Sequence, residues 1–142
     1  MIVGEGPELA SLKKIANNSP YIHFAGAQFD DVGLYFLISD VFVLPGLGGL
    51  ALNEAMAYGL PIIAGPADGT EIDLIKDLDT GFLIQKNVED DLSNKMLWCV
   101  EHKSETKQMG INAKNYILED YSLEKMIANI KLSITKANDK SS

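Results

Sequence analysis

Residues 41–64 read VFVLPGLGGLALNEAMAYGLPIIA, and this stretch decides the fold. Residues 41–44 are a continuous apolar run, as in a parallel strand covered on both faces. Pro45 ends the run, because proline cannot donate to a ladder. Gly46-Leu47-Gly48-Gly49 then lets the backbone turn with no Cβ in the way. Residues 50–58 read as helix, with Ala51, Ala55 and Ala57 small enough for close packing on a sheet. Gly59 is placed to be the left-handed C-terminal cap, Pro61 blocks continuation, and residues 62–64 read as the next buried strand. Such a βαβ unit brings its glycines and helix start to the carboxyl end of a strand, where open α/β sheets bind ligands.

The same alternation extends in both directions. Upstream, Ile2-Val3 reads as a strand remnant and Gly4-Glu5-Gly6-Pro7 as a turn. Residues 8–17 carry Leu9, Leu12, Ile15 and Ala16 at helical spacing, and Asn17-Asn18-Ser19-Pro20 stops them. Residues 21–25, YIHFA, read as a strand closed by Gly26, with His23 a structural histidine within it. Asp30 or Asp31 is placed to cap a helix to about Ser39, with Leu34, Phe36, Leu37 and Ile38 expected to be mostly buried.

Downstream, residues 65–69 (GPADG) form a second turn at a strand's carboxyl end. Thr70 is placed to cap a helix to about Lys76, and residues 81–84 read as a last short strand. From Val88 the chain turns helical, with one stripe of Leu92, Met96, Leu97 and Val100 and another of Met109, Ala113, Tyr116 and Ile117. Tyr121-Ser122 then starts a helix expected to turn Leu123, Met126, Ile127, Ile130 and Ile134 inward. The expected fold is α/β, a Rossmann-like doubly wound parallel sheet of about five strands followed by C-terminal helices. Residues 1–137 are expected as the domain and 138–142 as a frayed polar tail.

The 142 residues suffice for one domain with a core, and 46% hydrophobic with 23% charged residues is an ordinary globular balance. The net charge of −8, with no basic stripe, argues against nucleic acid and anionic membrane surfaces as partners. It leaves room for a phosphate held by backbone amides. The single cysteine, Cys99, excludes an internal disulfide and a multi-cysteine metal site, and reads as a small apolar residue beside Trp98. No His/Cys/carboxylate cluster has metal-ligand spacing. Without a spanning run or a signal peptide, a cytoplasmic location fits. Because Met1-Ile2-Val3-Gly4 begins inside a strand pattern, the chain is expected to be a piece of a longer polypeptide.

Chemistry centres on residues 46–50. Successive amides entering a helix make a concave donor set, reinforced by the helix dipole, that fits a phosphate or diphosphate. Glu54 lies one turn further on among alanines, where a charge facing the sheet needs partners. A carboxylate repels phosphate, so neutral donors suit it, and a ribose diol offers two hydroxyls that one carboxylate can accept together.

These residues carry a resemblance. VFVLP…GLALNEAMAYGLPIIA, with VGEGPELASLKKIA, YIHFAGAQ, ISDVFVLP and TEIDLIKDLDTGFLI in the same order, resembles the nucleotide-binding half of GT-B glycosyltransferases of family 4, or group 1. It covers roughly residues 2–121; EAMAYGLPIIA is its most specific segment, and the other pieces are collinear. The resemblance implies that Glu54 accepts hydrogen bonds from ribose hydroxyls, and that the amides of Gly48, Gly49 and Leu50 hold the diphosphate and sugar. Residues 27–29 (Ala27, Gln28 and Phe29) would line the base. The family pairs two glutamates separated by seven residues, and the first falls here at Gly46, a Pro-Gly form read as a subfamily variant. No side chain is therefore assigned a catalytic role.

The resemblance further implies a parent enzyme that transfers a sugar from a UDP- or GDP-sugar to a hydroxyl, with retention, in polysaccharide or glycolipid synthesis. It implies no metal and no further cofactor. The family's diphosphate-neutralising arginine and lysine, and its acceptor-binding domain, lie upstream of residue 1, as would any peripheral membrane contact. The chain alone is then expected to be inactive. Glu71 is left open between approaching the sugar and supporting a helix start. Glu89-Asp90-Asp91 and Glu119-Asp120 read as solvated faces. Competing readings are a GT-B epimerase or phosphorylase and a receiver-like module. The last needs acidic residues at strand carboxyl ends, whereas Asp40 precedes its strand.

Overall fold

The computed structural model describes residues 1–46, 49–67, 69–84 and 89–139. Its elements alternate as expected, in two compact units, residues 1–35 and residues 36–142.

In the first unit β1 (Ile2–Val3) leads through α1 (Leu9–Ala16) to β2 (Phe24–Gly26), and the two strands pair in parallel. The amides of Ile2 and Gly4 donate to the carbonyls of His23 and Gly26 at 2.7 and 2.8 Å. Asn17, at φ 45, ends α1 in the left-handed conformation that asparagine tolerates. The second strand is shorter than its apolar run. Ser19 takes the Tyr21 amide on its hydroxyl and the Ile22 amide on its carbonyl, both at 3.3 Å. That local turn withdraws Tyr21 and Ile22 from the ladder, and His23, just ahead of the strand, is exposed.

Helix α2 (Val32–Leu37) follows, its first turn closed by the Asp31 carbonyl accepting from the Leu34 amide at 3.0 Å. Of its apolar residues only Phe36 is buried, set between the rings of Phe42 and Tyr58. Leu34, Leu37 and Ile38 are exposed, contrary to expectation, because they fall on the side of this short helix opposite Val32 and Phe36.

In the second unit β3 (Phe42–Leu44), β4 (Ile62–Ala64) and β5 (Gly81–Leu83) form a parallel ladder in that order. The strands are joined by α3 (Leu50–Ala57) and α4 (Thr70–Leu74). The central strand is the fully buried one. Residues 41–44, expected to be covered on both faces, are half-buried, since β3 is the edge of this ladder. One row of the pleat sets Val43 beside Ile63 and Ile63 beside Phe82, and Cys99 and Met109 complete that core. Helix α3 ends in a Schellman motif: Gly59, at φ 84, donates to the Met56 carbonyl at 2.8 Å and Leu60 to the Ala55 carbonyl at 3.1 Å.

Three helices close the chain: α5 (Glu89–Glu101), α6 (Lys103–Asp120) and α7 (Leu123–Asp139). Gly59 and Gly110 meet backbone to backbone, leaving no room for a Cβ on Gly110, which lets α6 pack against α3. On α5 the packed face is Leu92, Trp98 and Cys99, while Met96, Leu97 and Val100 are exposed. The α6 stripe is as expected, with Met109, Ala113 and Ile117 buried and Tyr116 half-buried. Ser122 Oγ accepts from the Lys125 amide at 3.3 Å, capping the start of α7. The residues of α7 expected to point inward are exposed, because among the described residues the apolar stripe borders an open groove rather than a packed neighbour. The helix runs to Asp139, into the segment expected as a tail. Val88, the expected start of the helical region, and residues 140–142 lie outside the described residues.

Candidate functional site

The turn between β3 and α3 is open. Gly46 is exposed just past the end of β3; Leu47 and Gly48 lie outside the described residues. Gly49 takes φ 130, a value that suits only glycine, and stands at the N-cap position of α3 without a side-chain cap. The first amides of an α-helix have no acceptor within it, and the dipole adds positive potential there. Leu50, the first helical residue, is 84% exposed, so this helix start is accessible.

Glu54 sits one turn in and is exposed, not turned toward the sheet as expected. The helix buries Leu52, Ala55 and Met56, an i, i+3, i+4 face, and position 54 falls opposite it. The carboxylate thus has water rather than an apolar wall around it, and is reachable by a ligand without prior desolvation. Burial therefore imposes no partner on Glu54; what marks it is accessibility beside an open helix start.

The turn between β4 and α4 is closed from within. Glu71, the buried acid among the described residues, directs Oε1 to the amides of Ala67 and Gly69 and Oε2 to Gly69, the latter two contacts at 3.2 Å. Thr70, expected as the cap, is instead the first helical residue. Of the two roles left open for Glu71, the structure assigns support of the helix start. A glutamate two residues after a glycine, at the head of a short helix, was the available signal. Asp68 lies outside the described residues. At the other end of α4, Thr80 Oγ1 donates to the Leu74 carbonyl at 3.0 Å and accepts from the Lys76 amide at 2.8 Å.

The remaining expected site residues belong to the first unit. Ala27 and Gln28 are half-buried, Gln28 Nε2 donates to the Ala25 carbonyl at 2.8 Å, and Phe29 is exposed. Gly46, Gly49, Leu50 and Glu54 are thus gathered on the β3–α3 connection, and residues 27–29 follow β2 separately.

Elsewhere the ionisable groups read as structural. Burial pushes the Cys99 thiol up, partly offset by its hydrogen bond with Thr106. The hydrogen bond with Tyr116, then burial and nearby acids, pushes the Tyr121 phenol up to about 12. Tyr116 Oη also donates to the Asp73 carbonyl at 3.1 Å, and its ring lies under Lys76 Nζ at 3.7 Å, so α6 grips the end of α4. Asp120 pairs with Lys125 at 3.7 Å. Among the described residues no group of His, Cys, Asp and Glu could hold a metal, and no helix is long and apolar enough to cross a membrane. A groove of about 590 Å³ separates α3 from α7, lined by Asn53, Met126 and Ile130.

Parallel strands alternating with helices, and an open helix start at a strand's carboxyl end, define a Rossmann-like α/β domain. The chain belongs to the family of glycosyl transferases group 1, whose model matches residues 1–116, and its fold is that of the C-terminal domain of a GT-B glycosyltransferase. It is 30% identical over 138 residues to an uncharacterized glycosyltransferase of Methanocaldococcus jannaschii, covering 92% of this chain and 35% of that protein. It is 24% identical over 144 residues to the GDP-mannose-dependent alpha-(1-6)-phosphatidylinositol monomannoside mannosyltransferase of Mycobacterium tuberculosis, covering 92% of this chain and 37% of that one. Among solved structures, Anabaena HepE in complex with UDP-glucose superposes with a TM-score of 0.78 at 20% identity, over 94% of this chain and 40% of that chain. The chain spans about a third of the length of the curated relatives it matches.

Proposed function

We propose that this chain is the donor-binding domain of a retaining glycosyltransferase. The parent enzyme moves a sugar from a nucleoside-diphosphate sugar to a hydroxyl in polysaccharide or glycolipid synthesis. The observation that carries this reading is the open start of α3 beside an exposed Glu54, in a chain of the group 1 family. UDP-glucose bound to a protein of the same fold, and GDP-mannose used by a relative, support a nucleoside-diphosphate donor.

In this reading the diphosphate lies against the amides of Gly48, Gly49 and Leu50 at the positive end of α3. Charge that develops on the leaving diphosphate as the glycosidic bond breaks meets dipoles already in place, a preorganised stabilisation of the departing group. Glu54 accepts from both ribose hydroxyls, and residues 27–29 line the base. Gly46 leaves the transferred sugar without a carboxylate partner from this turn. The acceptor attacks from the face the leaving group vacates, so configuration is retained. All twelve basic residues here are lysine, so an arginine on the diphosphate comes from the upstream half, which also brings the acceptor.

The test is calorimetric titration of the full-length protein with UDP and GDP. Loss of one or two charged hydrogen bonds, about 1.5–3 kcal/mol each, predicts that Glu54→Ala weakens the preferred nucleotide about tenfold to a hundredfold or more. Unchanged affinity would remove Glu54 from the site. The isolated chain is expected to transfer no sugar, and turnover by it alone would refute the assignment of the acceptor site elsewhere.

A further inference from the structure

Glu71 does more than its short helix requires. It is 1% exposed, and its two oxygens engage amides at two points of the 65–69 loop, Ala67 and Gly69. The loop is fixed at its other end as well. The Gly65 amide donates to the Leu44 carbonyl at 3.2 Å, and a Cβ on Gly65 would collide with the Pro45 carbonyl. The loop is therefore clamped beside the end of β3, where the open turn to α3 begins.

The direction of these amides decides what the loop can face. Those of Ala67 and Gly69 point inward to a carboxylate, so they cannot serve a phosphate. Among its described residues the loop shows Pro66 and Ala67 to solvent, both uncharged. A clamped loop whose amides at Ala67 and Gly69 are already taken by a carboxylate has no use for them on a diphosphate, and beside the cradle it suits the donor's sugar instead.

We propose that Glu71 is a positioning residue, holding Pro66 and Ala67 as a wall of the subsite for the donor's sugar. This rests on the donor-binding reading above. Glu71 touches neither sugar nor phosphate and acts through the loop it anchors.

The test uses the full-length enzyme and two substitutions. Glu71→Gln keeps the size but turns one acceptor oxygen into a donor group facing N–H groups. Ala67→Pro removes one loop donor and leaves the buried carboxylate in place. Both are expected to raise the KM for the nucleotide sugar at least fivefold and to lower kcat. The Kd for sugar-free UDP or GDP, whichever the wild type binds, should stay within twofold.

A role in folding alone would lower the yield and Tm of the variants while the folded fraction kept the wild-type KM, and that result overturns the proposal. If E71Q does not fold, A67P decides the question by the same split. A wild-type enzyme that binds neither nucleotide overturns the donor-binding reading itself. Normal wild-type binding with kinetically normal variants overturns only the role of Glu71.

Discussion

Two neighbouring connections in this molecule start alike and end differently. β3 and β4 are parallel and in register, and each runs into a glycine-rich turn followed by a helix. After β3 the helix start carries no side-chain cap, its first residue is exposed, and its one carboxylate, Glu54, stands a turn away in solvent. After β4 the helix start is filled by Glu71, whose carboxylate takes up amides that a ligand would otherwise use. Both motifs put an acid near a helix N-terminus, where the dipole favours negative charge. The difference is three positions in the helix. At the second position a glutamate folds back onto its own turn; at the fifth it cannot reach, and the donors stay available. Open and plugged ends of adjacent strands thus divide the labour between binding and framing.

The largest expected effect comes from forcing the two turns apart. Gly65→Ala places a methyl group against the Pro45 carbonyl, and overpacking of this kind is expected to cost about 3 kcal/mol in urea unfolding. A change below about 0.5 kcal/mol, the scatter of neutral surface substitutions, would mean that the strand ends are not clamped.

A smaller effect should come from the far end of the plugged unit. Tyr116→Phe removes the hydrogen bond to the Asp73 carbonyl and is expected to cost about 1 kcal/mol, with nucleotide affinity unchanged. The same substitution has a pH signature. The Tyr121 phenol is held up to about 12, above its ordinary value of 10.0, chiefly by its hydrogen bond with Tyr116. A folded value above the unfolded one favours the protonated phenol. That stabilisation is full below pH 10 and is lost as pH rises through about 12. Ultraviolet titration of tyrosinate should therefore find a late-ionising tyrosine that moves back toward 10 in the Tyr116→Phe protein. Unaltered titration would mean that the Tyr116–Tyr121 contact does not set the shift.

The smallest effect on stability belongs to the open unit. Glu54→Ala should change unfolding free energy by less than about 0.5 kcal/mol, as for an exposed position, although it weakens nucleotide binding. Denaturation and titration of the same variant separate the two units: a large stability loss at Glu54 would show that it, like Glu71, is built into the fold.

Much of this was readable beforehand because it depends on short-range rules. The βαβ unit of residues 41–64 followed from an apolar run, a proline, four turn residues and a glycine cap, each with one strong local preference. The Schellman end at Gly59 and the buried α6 stripe matched for that reason. What failed depended on which side of an apolar element finds a neighbour. Periodicity marks a stripe on α7 but does not say what covers it, and among the described residues it stays exposed. On α2 and α5 several apolar residues lie off the packed side, because spacing alone did not fix the rotation of the helix. Tyr21 and Ile22 escaped the second strand because Ser19 offered a competing local turn.

Glu54 and Glu71 mark the same boundary at the site. The residues alone placed both acids after glycine turns at strand ends, and motif order pointed to the group 1 family. Which carboxylate is spent on the fold was a matter of rotation about each helix axis and of reach to particular amides. Those are set only when β3, β4 and their helices pack together. The sequence determined that there are two such turns; the tertiary structure decided that one is plugged and the other open.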